Sequence, residues 1–289
     1  MRKQRSFKEQ TNWGAVYLVP TPIGNLEDMT YRSVKTLQEV ALIASEDTRN
    51  TQKLLNHFEI STPQKSLHEH NYKERIPQLI EFLKTGQSIA QVSDAGMPSI
   101  SDPGHELVLA CLAEAIPVIS LPGATAGLTA LIASGLSPQP NLFYGFLPRK
   151  KSEQVAELEQ LQAQSATLIF YESPYRIAAT IKVMAEVLGD RQAVICRELT
   201  KIHEEYLRGT FTELQAYLAE NAIKGECCLL VAGNDGKAAV VQTDLGTMKE
   251  QVELLITEGL TPNQAIKEVA KRQQVKKQVV YKEYHGINA

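Results

Sequence analysis

The chain has 289 residues, 43% hydrophobic and 22% charged, an ordinary globular composition with room for about two cores at roughly 150 residues per domain. Thirty Lys and Arg against 33 Asp and Glu leave a net charge of −3, which excludes a histone-like, globally basic nucleic-acid binder but not a local basic face. No run of 18 apolar residues exists, so no membrane span is expected, and the basic Met1–Arg5 stretch, with no apolar segment after it, reads as a loose tail rather than a secretory signal.

Short apolar runs alternate with amphipathic stretches along the chain, the pattern of an α/β protein. A flexible tail is expected over 1–13. Residues 15–19 read as a first strand, 30–40 as a helix, 42–44 as a strand and 48–58 as a helix. A further helix is expected over 72–83, shortened or kinked by Pro77. Then come a strand at 88–92 and a long loop to Gly104, with Asp102 as N-cap and Pro103 as first helical residue. A strand at 117–121 completes an N-terminal α/β domain of residues 14–122.

A second α/β domain is expected over 123–235. It has helices at 124–134 (stopped by Gly135), 152–163 and 175–188, and strands at 167–171, 193–196 and 226–232. Each half should hold about five strands. A polar linker begins near Gly233. Three short helices (248–258, 261–272 and 276–284) then make a small helix-turn-helix-like domain over 245–289. Residues 261–289 carry six Lys/Arg against two Glu, a local +4, which suits either a solvated helical face or an electrostatic contact with nucleic acid. The cysteines, Cys111, Cys196, Cys227 and Cys228, show no CxxC spacing. Neither a disulfide framework nor structural zinc is expected, a reducing cytoplasm fits, and Cys227 and Cys228 should face opposite sides of one strand.

Familiar nucleotide and hydrolase signatures are missing: no GxGxxG follows a strand, and neither GxxxxGK[ST] nor GxSxG occurs. Instead, loops of Gly, Pro and small residues follow several strands, where α/β sheets bind ligands and where small side chains let a ligand reach the backbone. They are Val19-Pro-Thr-Pro-Ile-Gly-Asn-Leu26, Ser45-Glu-Asp-Thr-Arg49, Val92-Ser-Asp-Ala-Gly-Met-Pro98, Ser101-Asp-Pro-Gly104 and Leu121-Pro-Gly123. With Leu67-His-Glu-His-Asn71, Gly145-Phe-Leu-Pro148, Tyr171-Glu-Ser173 and Arg197-Glu-Leu-Thr-Lys201, in this order, the chain resembles the small-subunit ribosomal RNA ribose 2′-O-methyltransferases (RsmI type) of the tetrapyrrole-methylase superfamily. Met97 stands where that family is expected to carry threonine.

The resemblance implies two α/β domains with S-adenosylmethionine (SAM) in the cleft between them and a homodimer. It implies a cytidine of the decoding centre in the small ribosomal subunit as target. Pro22, Gly24, Asp94, Ala95, Gly96, Met97, Thr125, Ala126, Tyr171 and Cys228 are the expected cofactor residues. Asp94 accepts from the ligand's amine or else caps its own loop. Gly96, Thr125 and Ala126 serve either close ligand approach or helix–strand packing, and Tyr171 and Cys228 either wall the pocket or belong to the core.

A ribose hydroxyl is a weak acid, so a nearby group must take its proton. Candidates for the chemistry are Glu46, Asp47, Arg49, Glu172 and Glu198, with His68 and His70 as further helpers; an ion-pair network holding loops shut is the alternative. His68-x-His70 on a strand would share one face, but no third metal ligand has recognisable spacing, and no metal is expected. RNA contacts are expected from Arg49, Asn71, Arg149, Lys150, Lys151, Arg176, Arg197 and Lys201, and from Lys271, Arg272, Lys276 and Lys277. Two other functions fit less well: a tetrapyrrole methyltransferase, and a non-catalytic RNA-binding ribosome-assembly factor.

Overall fold

The computed structural model describes residue 4 and residues 12–236, 247–257, 259–273 and 275–286, the side chains of Lys271 and Arg272 excepted. The chain forms two compact units, Met1–Gly236 and Lys237–Ala289.

The larger unit contains two five-stranded sheets. The first consists of β1 (Val16–Leu18), β2 (Leu42–Ser45), β3 (Gln64–Ser66), β4 (Ile89–Val92) and β5 (Val118–Ser120) in the order β3-β2-β4-β1-β5, every pair parallel. Its helices are α1 (Tyr31–Glu39), α2 (Thr48–His57), α3 (Tyr72–Lys84) and α4 (Gly104–Ala113). Its inner strands are apolar on both faces because both are covered. Leu42, Ala44 and Ile89 pack with Leu79 and Leu83 of α3 and Leu107 of α4, while Ile43 and Ala90 pack with Leu37 of α1 and Leu55 of α2. The connection leaving β1 crosses to β2 beyond β4, and the one leaving β4 crosses to β5 beyond β1. At these neighbouring strands the chain therefore departs in opposite directions, which is where a crevice opens in a doubly wound sheet.

The second sheet consists of β6 (Asn141–Phe146), β7 (Thr167–Glu172), β8 (Gln192–Arg197), β9 (Glu205–Thr210) and β10 (Cys227–Val231), in the order β6-β7-β10-β8-β9. The pair β6–β7 is parallel and the other three are antiparallel. Helices α6 (Lys151–Leu161), α7 (Ile177–Leu188) and α8 (Phe211–Glu220) cover the face bearing Leu168, Phe170, Ile195 and Leu229. Helix α5 (Ala126–Ser134) lies on the other, with Ile169, Val194 and Leu230. Alternation along β10 sends Cys227 into the first layer and Cys228 into the second, as expected. All four cysteines are free and buried. Burial pushes the Cys111 and Cys196 thiols up to about 12, Cys227 to about 11 and Cys228 higher still.

Several expectations shift. The anticipated boundary at 122/123 falls between β5 and α5. Strands β3, β6 and β9 and helix α8 have no counterpart in the sequence reading. Helix α3 continues through Pro77 to Lys84. Helix α4 begins at Gly104 rather than Pro103, so the N-cap position falls on Pro103 and not on Asp102, which stands one residue earlier and accepts from the Gly104 N–H at 2.7 Å. Of the expected loose tail, Gln4, Asn12 and Trp13 are described. The Gln4 amide exchanges two hydrogen bonds with the Val118 backbone and Trp13 packs on the first core, so these two positions are held. Residues 1–3 and 5–11 lie outside the described residues.

The smaller unit has α9 (Met248–Thr257), α10 (Pro262–Arg272) and α11 (Lys277–Tyr284) around Val252, Leu255, Ile266, Val269 and Val280. The Gln264 side chain accepts from the Thr261 N–H at 3.0 Å, closing the start of α10. Residues 245–246 and 287–289 lie outside the described residues.

Candidate functional site

A cavity of about 770 Å³ lies between the loops of the first sheet and the α5 face of the second. One wall is the loop after β4, with Ser93, Ala95, Gly96, Met97 and Asp102. The other presents Ile169 and Tyr171 of β7, Cys196 of β8, Cys228 of β10, and Phe143 and Phe146 of the edge strand β6. Thr125 and Ala126, at the start of α5, join the two.

The loop after β4 is tied down at both ends. Thr21 and Gly96 exchange backbone hydrogen bonds of 3.0 and 3.1 Å, and the Thr21 hydroxyl donates to the Ser93 carbonyl. Gly96 has φ +73, and a Cβ there would lie 3.1 Å from Ile23 and 3.4 Å from the Ala124 carbonyl oxygen, so glycine is needed for both conformation and space. At the far end, the buried Gln91 amide donates to Asp102 at 2.8 Å, and the same carboxylate accepts from the Ser99 N–H at 2.8 Å.

Of the ten residues expected around the cofactor, Ala95, Gly96, Met97, Thr125, Ala126, Tyr171 and Cys228 line this cavity. Pro22, Gly24 and Asp94 instead line an adjoining recess of about 330 Å³. A Cβ on Gly24 would lie 2.5 Å from Cγ of Lys201, so Gly24 admits the loop from the second sheet. Asp94 accepts from the Asp47 N–H and the Asn50 amide, both at 3.2 Å, which ties it to the start of α2. Tyr171 accepts from the Gly127 N–H at 3.3 Å and packs edge-on to Phe143 and Phe146, with centroids 5.0 and 5.6 Å away.

The carboxylates separate sharply. Glu46 and Glu172 line the cavity; Asp47 and Glu198 do not. Asp47 caps α2 and takes both prongs of the Arg49 guanidinium, at 3.1 and 2.7 Å, which hold its carboxyl down at about 2. Glu198, in a left-handed conformation (φ 50), accepts from the Glu226 N–H at 2.9 Å and Lys201 at 3.0 Å, and these lower its pKa. The Glu172 side chain is 1% exposed and fully committed: Oε1 accepts from the Ser173 N–H at 2.8 Å, Oε2 from the Thr180 hydroxyl at 2.7 Å, and Arg176 stands 3.5 Å away. Glu46 faces the cavity and titrates above the ordinary glutamate range. Burial is the main cause, opposed by the Asp94 N–H and reinforced by the charges of Asp94, Asp102 and Asp47.

The ion-pair network that the sequence left as an alternative thus describes Asp47, Arg49, Glu172 and Glu198. It also takes up several residues expected on RNA. Arg176 donates to the Leu147 and Pro148 carbonyls, Arg197 to Glu205 at 2.6 Å, and Lys201 to Glu198 and Glu226. Lys150 pairs with Glu153 and Lys151 with Glu186. Asn71 braces its own turn, accepting from the His68 N–H and donating to Ser66. Arg149 is exposed, without an ion-pair partner among the described residues. Lys276 is exposed, and Lys277 donates to Asn263 at 3.3 Å. His68 and His70 occupy a turn after β3 rather than a strand, with ring centroids 6.0 Å apart, so the shared-face premise does not hold.

Phe143 and Gln91 escaped the sequence reading, which met Phe146 only within a loop motif and Asp102 only within another and as a helix cap. The aromatics sit on an unanticipated strand in which Gly145 (φ +86) shifts the register and breaks the alternation. A glutamine within the apolar β4 run was the available signal for the Gln91–Asp102 pair, since a buried amide demands partners.

The family description "Tetrapyrrole (Corrin/Porphyrin) Methylases" matches residues 15–215. A relative from Streptococcus pyogenes serotype M1, named ribosomal RNA small subunit methyltransferase I, is 55% identical over 287 residues, covering 99% of this chain and all of its own. A relative of the same name from Bacillus subtilis is 49% identical over 288 residues, covering 99% of each. The crystal structure of uroporphyrin-III C-methyltransferase from Thermus thermophilus complexed with S-adenyl homocysteine superposes with a TM-score of 0.53 at 19% identity, covering 75% of this chain and 97% of that one, and so shares the fold. With its two-sheet unit matched by the family description and nearly its whole length matched by these relatives, the chain belongs to the tetrapyrrole methylase family, within the group of the ribosomal RNA small subunit methyltransferases I.

Proposed function

We propose that the protein transfers the methyl group of SAM to the ribose 2′-oxygen of a cytidine in the RNA of the small ribosomal subunit. The observation that carries this reading is identity of 55% along the whole length of a relative bearing that enzyme's name. The cavity fits the cofactor. Its volume falls in the range of about 300–1,000 Å³ usual for ligand sites, and its loops offer backbone groups and small side chains against an aromatic wall. Ala95, Gly96, Met97, Thr125, Ala126, Tyr171 and Cys228 would hold it, with Pro22, Gly24 and Asp94 shaping the loops behind. When bound, SAM supplies an electrophilic methyl group on a sulfonium.

The chain's own part is to place the ribose oxygen within about 3–3.5 Å of the carbon it attacks and to take its proton. Glu46 is the proton acceptor in this reading. Asp47, Glu172 and Glu198 are held by arginine, lysine and peptide N–H groups, whereas partial burial raises Glu46 toward the pH at which a carboxylate base works best. Arg149, Lys276 and Lys277, with Lys271 and Arg272, supply positive charge to the RNA backbone. Arg176, Arg197, Lys201 and Asn71 shape loops. Exposed Leu128 and Ile132 on α5 support a homodimer, and four buried free thiols suit the cytoplasm.

Calorimetry with SAM and labelled-methyl transfer to small subunits lacking the modification test the reading. Saturable binding and label on a ribose 2′-oxygen are expected. Absence of binding, or transfer to a tetrapyrrole instead, overturns it. Neutralising Lys271, Arg272, Lys276 and Lys277 together should flatten the log K versus log salt slope for RNA by up to about 2–3 while leaving SAM affinity intact. Light scattering should return twice the chain mass; a monomer removes the dimer.

A further inference from the structure

The loop between β7 and α7 is built with unusual care for one that ends in an exposed ring. Glu172, an almost wholly buried anion, accepts from the Ser173 N–H and the Thr180 hydroxyl, and Arg176 closes over it at 3.5 Å. The Ser173 hydroxyl accepts from the Tyr175 N–H, and the Ser173 carbonyl from the Arg176 N–H at 3.0 Å. A buried carboxylate paired with a partly exposed arginine is a costly way to hold a loop, and it fixes the backbone on both sides of Tyr175. Yet the tyrosine itself is 97% exposed and meets no other ring among the described residues. Ser173 and Pro174, just before it, line the large cavity, so Tyr175 stands at its rim.

The same arginine joins a second loop to this one. Arg176 donates to the Leu147 carbonyl at 3.3 Å and the Pro148 carbonyl at 2.9 Å, the residues directly before Arg149, which is exposed and has no ion-pair partner among the described residues. A flat exposed ring and an exposed guanidinium are therefore carried on either side of one hydrogen-bonded joint. A π-face beside a positive charge is how proteins hold single-stranded nucleic acid without reading its sequence.

We propose that Tyr175 is a stacking platform for an unpaired base of the RNA flanking the nucleotide in the cavity, with Arg149 holding an adjoining phosphate. Glu172 and Arg176 are its positioning residues rather than groups that touch substrate. The proposal rests on the reading of the protein as a ribosomal RNA methyltransferase.

The test compares Tyr175→Ala, Tyr175→Phe, Tyr175→Trp and Tyr175→Leu by methyl transfer to small subunits lacking the modification. Tyr175→Ala should raise KM for the subunit on the order of tenfold, with kcat and SAM affinity within about twofold of the parent. Phe and Trp should restore KM and Leu should not, because the ring face rather than apolar area is what binds. Arg149→Gln should lower the salt slope by about 0.7, one single-strand phosphate. An unchanged KM in Tyr175→Ala, rescue by Leu equal to that by Phe, or a changed oligomeric mass overturns the platform. A parent protein that binds SAM but leaves ribosomal RNA unmethylated instead removes the reading beneath it, so the two failures are distinct.

Discussion

The two walls of the cavity are made in different ways. The wall from the first sheet is loop backbone, held in place by Asp102, Thr21 and a glycine at positive φ. The wall from the second sheet is mainly strand surface, apolar and aromatic, with Glu226 at its edge and the Glu172 carboxylate turned inward and fully satisfied. The first wall offers peptide groups to a ligand and carries Glu46, whose carboxyl burial raises above the ordinary glutamate range; the second offers an apolar surface. Two glutamates at strand ends thus differ, and their hydrogen-bond partners rather than their residue type decide how.

That contrast can be broken most forcefully at Glu172. Glu172→Ala strands Ser173, Thr180 and Arg176 and should cost about 3–5 kcal/mol in urea unfolding, while Glu172→Gln, which keeps an acceptor, should cost less than half as much. Full stability with lost methyl transfer in Glu172→Gln would make Glu172 a chemical group after all. On the opposite wall, Asp102→Ala leaves the Ser99 and Gly104 N–H groups and the Gln91 amide unpaired. It should cost about 2–3 kcal/mol and weaken SAM binding in calorimetry. Tyr171→Phe removes the acceptor for the Gly127 N–H and the hydrogen bond with the Thr125 side chain and keeps the ring contacts; about 1 kcal/mol is expected, with less loss of SAM affinity than Asp102→Ala.

The smallest effect on stability, and the most informative on chemistry, belongs to Glu46→Gln. The Glu46 carboxyl titrates higher in the fold than in the unfolded chain. Its favourable contribution therefore exists below the ordinary glutamate range and disappears as pH rises past the folded value. Removing the charge should raise the melting temperature at pH 7 by about one degree, solvent screening keeping it small, and leave it unchanged near pH 3. Methyl transfer should fall with the same substitution, and in the parent it should decline on acidification at a higher pH than an unperturbed glutamate would give. Retained transfer in Glu46→Gln removes it as proton acceptor.

The sequence revealed the fold wherever burial was symmetrical. Strands β1, β2, β4, β7, β8 and β10 are internal to their sheets and read as apolar runs. The three strands that escaped, β3, β6 and β9, are all at sheet edges, where Lys65, Asn141 and Arg208 meet water and dilute the signal. The site divides in the same way. Glycine-rich loops announced one wall, whereas Phe143 and Phe146 arrived on an edge strand. The acidic residues looked interchangeable because only the fold assigns them partners: Arg49 to Asp47, Thr180 to Glu172, Lys201 to Glu198.

The buried sulfhydryls give the molecule an internal clock. Cys111 belongs to the first core and lines neither recess, whereas Cys196, Cys227 and Cys228, in the layers of the second sheet, border the large cavity; burial keeps all four protonated at neutral pH. An alkylating probe must wait for local opening to reach Cys111 but can approach the other three from the cavity. Peptide mapping of the label over time then reports separately how often the first core breathes and how open the cavity stands, with no dye or mutation introduced.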